Sequence, residues 1–279
     1  MAKGQYKKGS IKSSGEHGLY DKADWLKESQ HHLLSAKMLR ECSAEKKERI
    51  KKQFKPEDQS KSLAGIDELI SQREAGNKSS ILIIGYAFEM LLKSGLVSLY
   101  VDVPRKILRK DLRVTYGHNL KLIATEIEVP IDDDELDKLD LLYDWLTGDA
   151  RYPIEPTNER NHTQKLRKVR HKFWDDEEFV DLQKLYDKIN SFVLTIDASE
   201  DDPKSSQKWE MDGDGFFIYR TGGKLKNRII VKYSKQQKEN REDNKDSLRA
   251  LLPNIVKDPH YEQYLSDNWE TIKFSEIGN

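Results

Sequence analysis

Only one cysteine, Cys42, stands among 279 residues, so no intramolecular disulfide can staple the chain. That count fits a reducing compartment and equally a secreted protein without bridges, and the cytoplasm is the expected location. Long apolar runs are missing too. The longest aliphatic stretch, Ile81 to Ile84, is far too short to cross a bilayer, and the basic opening MAKGQYKKGSIKSSGEHG holds no apolar segment of the kind a signal peptide needs. Neither export nor membrane insertion is expected. An excess of one charge is also absent, since 48 Lys and Arg against 49 Asp and Glu leave a formal net charge of -1. No global field draws the protein to nucleic acid or to an anionic membrane, so any such partner must be recognised by a local patch.

The chain further lacks a Cys/His cluster, a Gly-rich phosphate loop after a strand, and a Gly-x-Ser-x-Gly turn. Asp212-Gly213-Asp214-Gly215 begins like a calcium loop, but no glutamate stands near the twelfth position. No metal and no cofactor are expected.

What is abundant is charge, 35% of residues beside a hydrophobic share of 36%, the balance of long amphipathic helices with solvated outer faces. Residues 1 to 20 have almost nothing to bury and read as a flexible basic tail. From Asp24 as N-cap, Trp25, Leu26, Leu33, Leu34, Met38 and Leu39 recur at helical spacing toward Phe54, and Pro56 ends the run. A second helix is predicted over Leu63 to Arg73, with Gly76-Asn77 separating it from a third over Ser79 to Tyr100. The third is apolar nearly all round and should be central. Further helices are expected after Asn119, after Asp132 to Asp134, and from Asp175 to about Phe192. A helical unit over 21 to 197 is then followed by a polar linker at 198 to 208. Residues 209 to 279 read as a small α+β appendage. It has a hairpin about Thr221-Gly222-Gly223, a solvated charged run from Lys235 to Asp246, a short helix near Leu248, and a tail with Tyr261, Tyr264 and Trp269.

Three segments in order, GYAFEMLLKSGL at 85 to 96, YGHNLKLIA at 116 to 124 and LDLLYDWLTGDARYP at 139 to 153, resemble the HEPN domain, in the branch that ends a helix with Arg-Tyr-Pro. The resemblance covers Asp24 to Phe192. It implies a mainly α, up-and-down helical bundle that often forms a homodimer. Members act as ribonucleases, as RNA-binding modules or as partners of small nucleotidyltransferases, many in toxin–antitoxin or phage-defence systems. Ribonuclease members carry an Arg, usually a polar residue, a short spacer and a His, and use no metal. RNA supplies its own 2′-hydroxyl nucleophile, so the enzyme needs only an acid–base group that titrates near neutrality and a cation for the phosphorane charge.

Arg113 and His118 meet that spacing, with four residues between them, although Val114 stands where a polar residue is usual. Arg151, just past a helix end, can reach a phosphate or simply complement the helix dipole. His118, at a helix start, can serve as the acid–base group or hold the preceding loop by a hydrogen bond. Two basic patches offer an RNA surface. One is Arg105, Lys106, Arg109 and Lys110; the other is Arg160, Lys165, Arg167, Lys168, Arg170 and His171, interleaved with Phe173 and Trp174. A solvated loop is the other reading of such runs. Glu89 and Lys93, four apart on the central helix, read as a buried structural pair, because no third group converges on them in sequence.

Overall fold

The periodic apolar residues after Tyr20 form α1, Lys22–Gln53, in a computed structural model that describes residues 18–53, 63–148 and 176–278. The predicted tail before residue 18, the stop at Pro56, Arg151, the basic loop from Arg160 to His171 and the Asp175 cap lie outside the described residues.

The two helices expected on either side of Gly76-Asn77 are one continuous α2, Leu63–Leu99. Gly76 is not a break but a contact: a Cβ there would collide with Ser43 Oγ on α1, so glycine lets the two backbones approach. Packing thereby overrides the modest helix penalty of one glycine. Ser29 on α1 donates to the Ala87 carbonyl (2.6 Å) while Ser43 donates to that of Arg73 (3.2 Å), so position rises on one helix as it falls on the other and the pair is antiparallel. Leu34 and Met38, expected in the α1 stripe, face outward at 58% and 61% exposure.

Around α2 pack α4, Leu120–Glu126, α5, Asp133–Thr147, and α6, Asp176–Thr195, with the basic α3, Arg105–Arg113, preceding them. α2 is thus the central helix, and Ile81, Ile84, Phe88, Leu91, Leu92 and Leu96 are fully buried on it. By length and composition α2 could cross a membrane, with a mean hydropathy of 1.6 over its most apolar window. That window is 72% buried within the fold, so its apolarity is that of a core helix. Asp132 caps α5 in a capping box with Glu135, as the acidic run predicts.

The C-terminal region is a four-stranded mixed sheet in the order β1-β2-β3-β4. β1, Ser205–Glu210, runs antiparallel to β2, Phe216–Thr221, and β2 antiparallel to β3, Arg228–Lys232; β4, Lys273–Glu276, joins β3 in parallel. The crossover to β4 carries α7, Lys235–Glu239, α8, Lys245–Ile255, and α9, Pro259–Asn268. Two expectations change here. The sheet begins at Ser205, inside the predicted linker, and Asp202 before it binds the hairpin turn through Lys224 N (2.8 Å) and Gly223 N (2.9 Å), so polar composition marks a satisfied turn, not a spacer. The charged run from Lys235 to Asp246 is solvated along most of its length, as expected, and opens with α7, capped by Ser234 and Gln237. The expected tail is core, with Leu265 and Trp269 buried against the outer face of the sheet.

Both faces of the two central strands are covered, which is why β2 and β3 are rich in buried apolar residues, whereas β1 is polar and partly exposed. Phe216, Ile218 and Ile230 join the bundle core, while Phe217, Tyr219, Ile229 and Val231 pack under α8 and α9. Arg220 and Arg228, neighbours across β2 and β3, are buried on the bundle side. Arg220 donates to Asp197 (2.8 Å) and to the Ser98 carbonyl (3.2 Å); Arg228 binds the Glu126 carboxylate, the Glu126 carbonyl (2.8 Å) and Ser275 (2.9 Å).

Candidate active site

Glu89 and Lys93 lie one turn apart on α2, and their side chains meet at 2.7 Å with 4% and 7% exposure. Burying two such ions costs several kcal/mol each before their attraction is counted, so a fold that keeps them needs every lone pair used. The second carboxylate oxygen of Glu89 takes Nδ1 of His118 at 2.8 Å. The third convergent group that the sequence did not disclose is therefore His118, and the pair is part of a Lys93–Glu89–His118 relay. Trp25 of α1 covers Lys93 from 5.9 Å and is itself held by its indole N–H on the Leu19 carbonyl at 2.7 Å.

The turn between α3 and α4 aims the histidine. Gly117 adopts φ +49°, a left-handed conformation that suits glycine, and the backbone N–H groups of Tyr116 and Asn119 donate to Asp111 (2.9 Å) and Tyr116 (2.8 Å). Asn119, not His118, caps α4 by accepting from Leu122 N at 2.9 Å, so the histidine is spared the local capping role. Tyr116 anchors the other side of the turn, its hydroxyl on that of Tyr100, which donates to Glu126 at 2.9 Å. Burial, reinforced by Glu126, pushes the Tyr116 phenol up; burial followed by Tyr116 does the same to Tyr100, so both stay protonated hydrogen-bonding groups. This network reaches Arg228 and Ser275 on the sheet, and sequence reasoning missed it because its members lie up to 175 positions apart without any local signature.

With Nδ1 engaged by a carboxylate, the imidazole has a set orientation, and a proton it exchanges with a substrate passes through Nε2. The His118 side chain is 36% exposed, enough to meet one. Arg113 ends α3 with its side chain in solvent, and its carbonyl lies 3.6 Å from where a Gly117 Cβ would stand, so the turn brings their backbones together. Its side chain makes no hydrogen bond or ion pair among the described residues, and neither do those of Lys106 and Arg109. Arg105 sits 5.0 Å over the Tyr20 ring, whose hydroxyl donates to the Arg105 carbonyl at 3.1 Å. Lys110, like Lys106 and Arg109, is exposed, and Leu108 and Leu112 root α3 in the core. The result is a cationic ridge one turn from the histidine. Arg151 and the second patch lie outside the described residues.

Among the described residues no three His, Cys, Asp or Glu side chains are grouped to hold a metal. Comparison of the chain with protein-family models, with curated proteins and with solved structures finds no match.

Proposed function

We propose that this is an RNA-directed protein of the HEPN type that cleaves RNA without a metal, working as a homodimer. The observation that carries the reading is His118, half exposed and oriented by the buried Glu89–Lys93 pair, directly after a helix with five outward cations. His118 takes the proton of a ribose 2′-hydroxyl or returns one to the departing 5′-oxygen. The 2′ O–P bond forms as the 5′ O–P bond breaks, and Arg113 and Arg151 are the cations assigned to the charge that grows on the phosphorane. Arg105, Lys106, Arg109 and Lys110, with Arg160, Lys165, Arg167, Lys168, Arg170 and His171, hold the strand by its phosphates. A toxin–antitoxin or phage-defence setting, with a nucleotidyltransferase or other antitoxin as partner, belongs to the same proposal.

The test is cleavage of total cellular RNA by purified protein in EDTA, with His118→Ala, Arg113→Ala and Glu89→Gln at matched folding. Cleavage by the wild type that falls about a hundredfold or more in His118→Ala is expected, the size of an acid–base contribution. No cleavage, or cleavage equal in all four proteins, sinks the ribonuclease reading.

A second reading has one observation in its favour. The usual polar position is Val114, 70% exposed, and the Arg113 side chain makes no contact that ties it to His118. Such a site suits a catalytically silent HEPN module that binds a partner protein or nucleotide. RNA binding without strand scission in the same assay selects it.

A further inference from the structure

On the side of the sheet away from the bundle, β2, the residue before β3 and the first turns of α9 border a shallow, open cleft of about 370 Å³. It is lined by Tyr219, Thr221, Asn227, His260, Tyr261 and Tyr264. The volume lies at the low end of small-ligand sites, room for one planar group with a sugar rather than for a peptide. Sequence reading had placed Tyr261 and Tyr264 in a tail. They stand three apart on α9, 37% and 43% exposed, with their rings toward a shared space.

The chemistry of the lining narrows the occupant. It contains no Asp, Glu, Lys or Arg among the described residues, so a cationic ligand finds no counter-charge. The α9 N-terminus, which could hold an anion, is already filled by Asp258, whose carboxylate accepts from His260 N at 2.9 Å. What remains is aromatic surface with uncharged hydrogen-bonding groups. Tyr264 lies 6.0 Å from Tyr219, tilted at 51°, and Tyr261 stands edge-on to Trp209 at 5.7 Å, which holds both rings in place. Asn227 offers an amide donor and acceptor at the rim, with only a long 3.5 Å contact to the Tyr264 hydroxyl. Beneath the rim, the Tyr219 hydroxyl is buried beside Tyr264. Burial, then Tyr264 beside it, pushes this phenol up, so it keeps a proton to donate.

We propose that this cleft is a nucleobase site, in which a flat base stacks on Tyr261 or Tyr264 while the Asn227 amide meets its hydrogen-bonding edge. Aromatic faces bind any base by stacking, and an amide adds selectivity among edges. The base belongs to a free nucleotide or to an unpaired residue of a strand. Only the second source rests on the RNA-directed function proposed above; base binding itself does not require cleavage.

The experiment uses the full chain carrying His118→Ala, in EDTA, so that scission cannot confuse binding. Titration with AMP, GMP, CMP and UMP, and separately with a labelled single-stranded oligoribonucleotide, is repeated with Tyr264→Ala, Tyr264→Phe and Asn227→Ala. Matched circular dichroism and melting establish that each variant is folded. Loss of roughly tenfold in affinity in Tyr264→Ala, as expected for one lost stack, with near-retention in Tyr264→Phe and a changed base preference in Asn227→Ala, supports the site. If the mononucleotides show this pattern, the source is a free nucleotide; if only the oligoribonucleotide does, it is a strand. Binding of neither, affinities unchanged in Tyr264→Ala, or binding of a neutral oligosaccharide in place of any nucleotide overturns it. Failure of the cleavage assay leaves this result standing, and the reverse also holds.

Discussion

Glu89 joins a neighbour on its own helix, Lys93, to His118 from a distant turn, and its removal has two separable effects. Glu89→Ala strands a buried Lys93 and frees His118, and is expected to lower unfolding stability by about 3–5 kcal/mol in urea denaturation. The double substitution Glu89→Leu with Lys93→Met removes both ions together, so its stability should return to within about 1 kcal/mol of the wild type, or exceed it. RNA cleavage should stay lost in that stable double variant, because the imidazole no longer has its orienting carboxylate. Cleavage restored together with stability would make the pair purely structural. The i, i+4 spacing of Glu89 and Lys93 was legible beforehand. Its third member was not, because His118 is 29 residues further on and is brought there by the packing of the α3–α4 turn against α2.

Among the elements, α2 departs furthest from sequence expectation. Its continuity through Gly76 depends on close approach to α1, so Gly76→Ala should cost about 1–3 kcal/mol by overpacking rather than gain the usual helix-propensity benefit of alanine. Combining it with Ser43→Ala, which deletes the nearest atom, should recover most of that loss, and a double-mutant cycle on denaturation midpoints measures the coupling. Additive effects would show that Gly76 serves something other than the contact. By contrast α5 was readable from its cap and stripe and α6 from its stripe, because Asp132, Glu135 and the apolar residues act within a turn or two of one another.

The whole molecule is joined by its sheet. Bundle and sheet share one apolar core, and the buried Arg220 and Arg228 tie β2 and β3 to the ends of α2, α4 and α6. Arg228→Ala should lower stability by about 3–5 kcal/mol, since it strips Glu126 of its ion partner. Unfolding should remain a single transition by far-ultraviolet dichroism and by tryptophan fluorescence; two separated transitions would mean that the sheet is an independent unit. Alkaline pH tests the same assembly. Burial raises the phenols of Tyr100, Tyr116, Tyr219 and Tyr233, the last from 10.0 up to about 12. A group whose pKa is higher in the folded state contributes stability that is complete below its unfolded value and lost as pH rises through the folded one. Stability should therefore hold to about pH 10 and decline above it, with these tyrosines ionising only as the protein unfolds in a spectrophotometric titration. Full ionisation of every tyrosine near pH 10 without unfolding would contradict their burial.

The amino-acid sequence alone determined the mainly helical class, the central apolar helix, the basic stretch from Arg105 to Arg113, the hairpin at Gly222-Gly223 and the Asp132 cap of α5, all of which arise from neighbours within a few residues. Tertiary structure alone decided that α2 runs unbroken, that residues 202 to 207 lead into a strand, that Tyr264 and Trp269 belong to a packed face, and that His118 reaches Glu89. These outcomes depend on which surfaces meet, and a buried charge or a close glycine contact acquires its partner only when distant segments pack together.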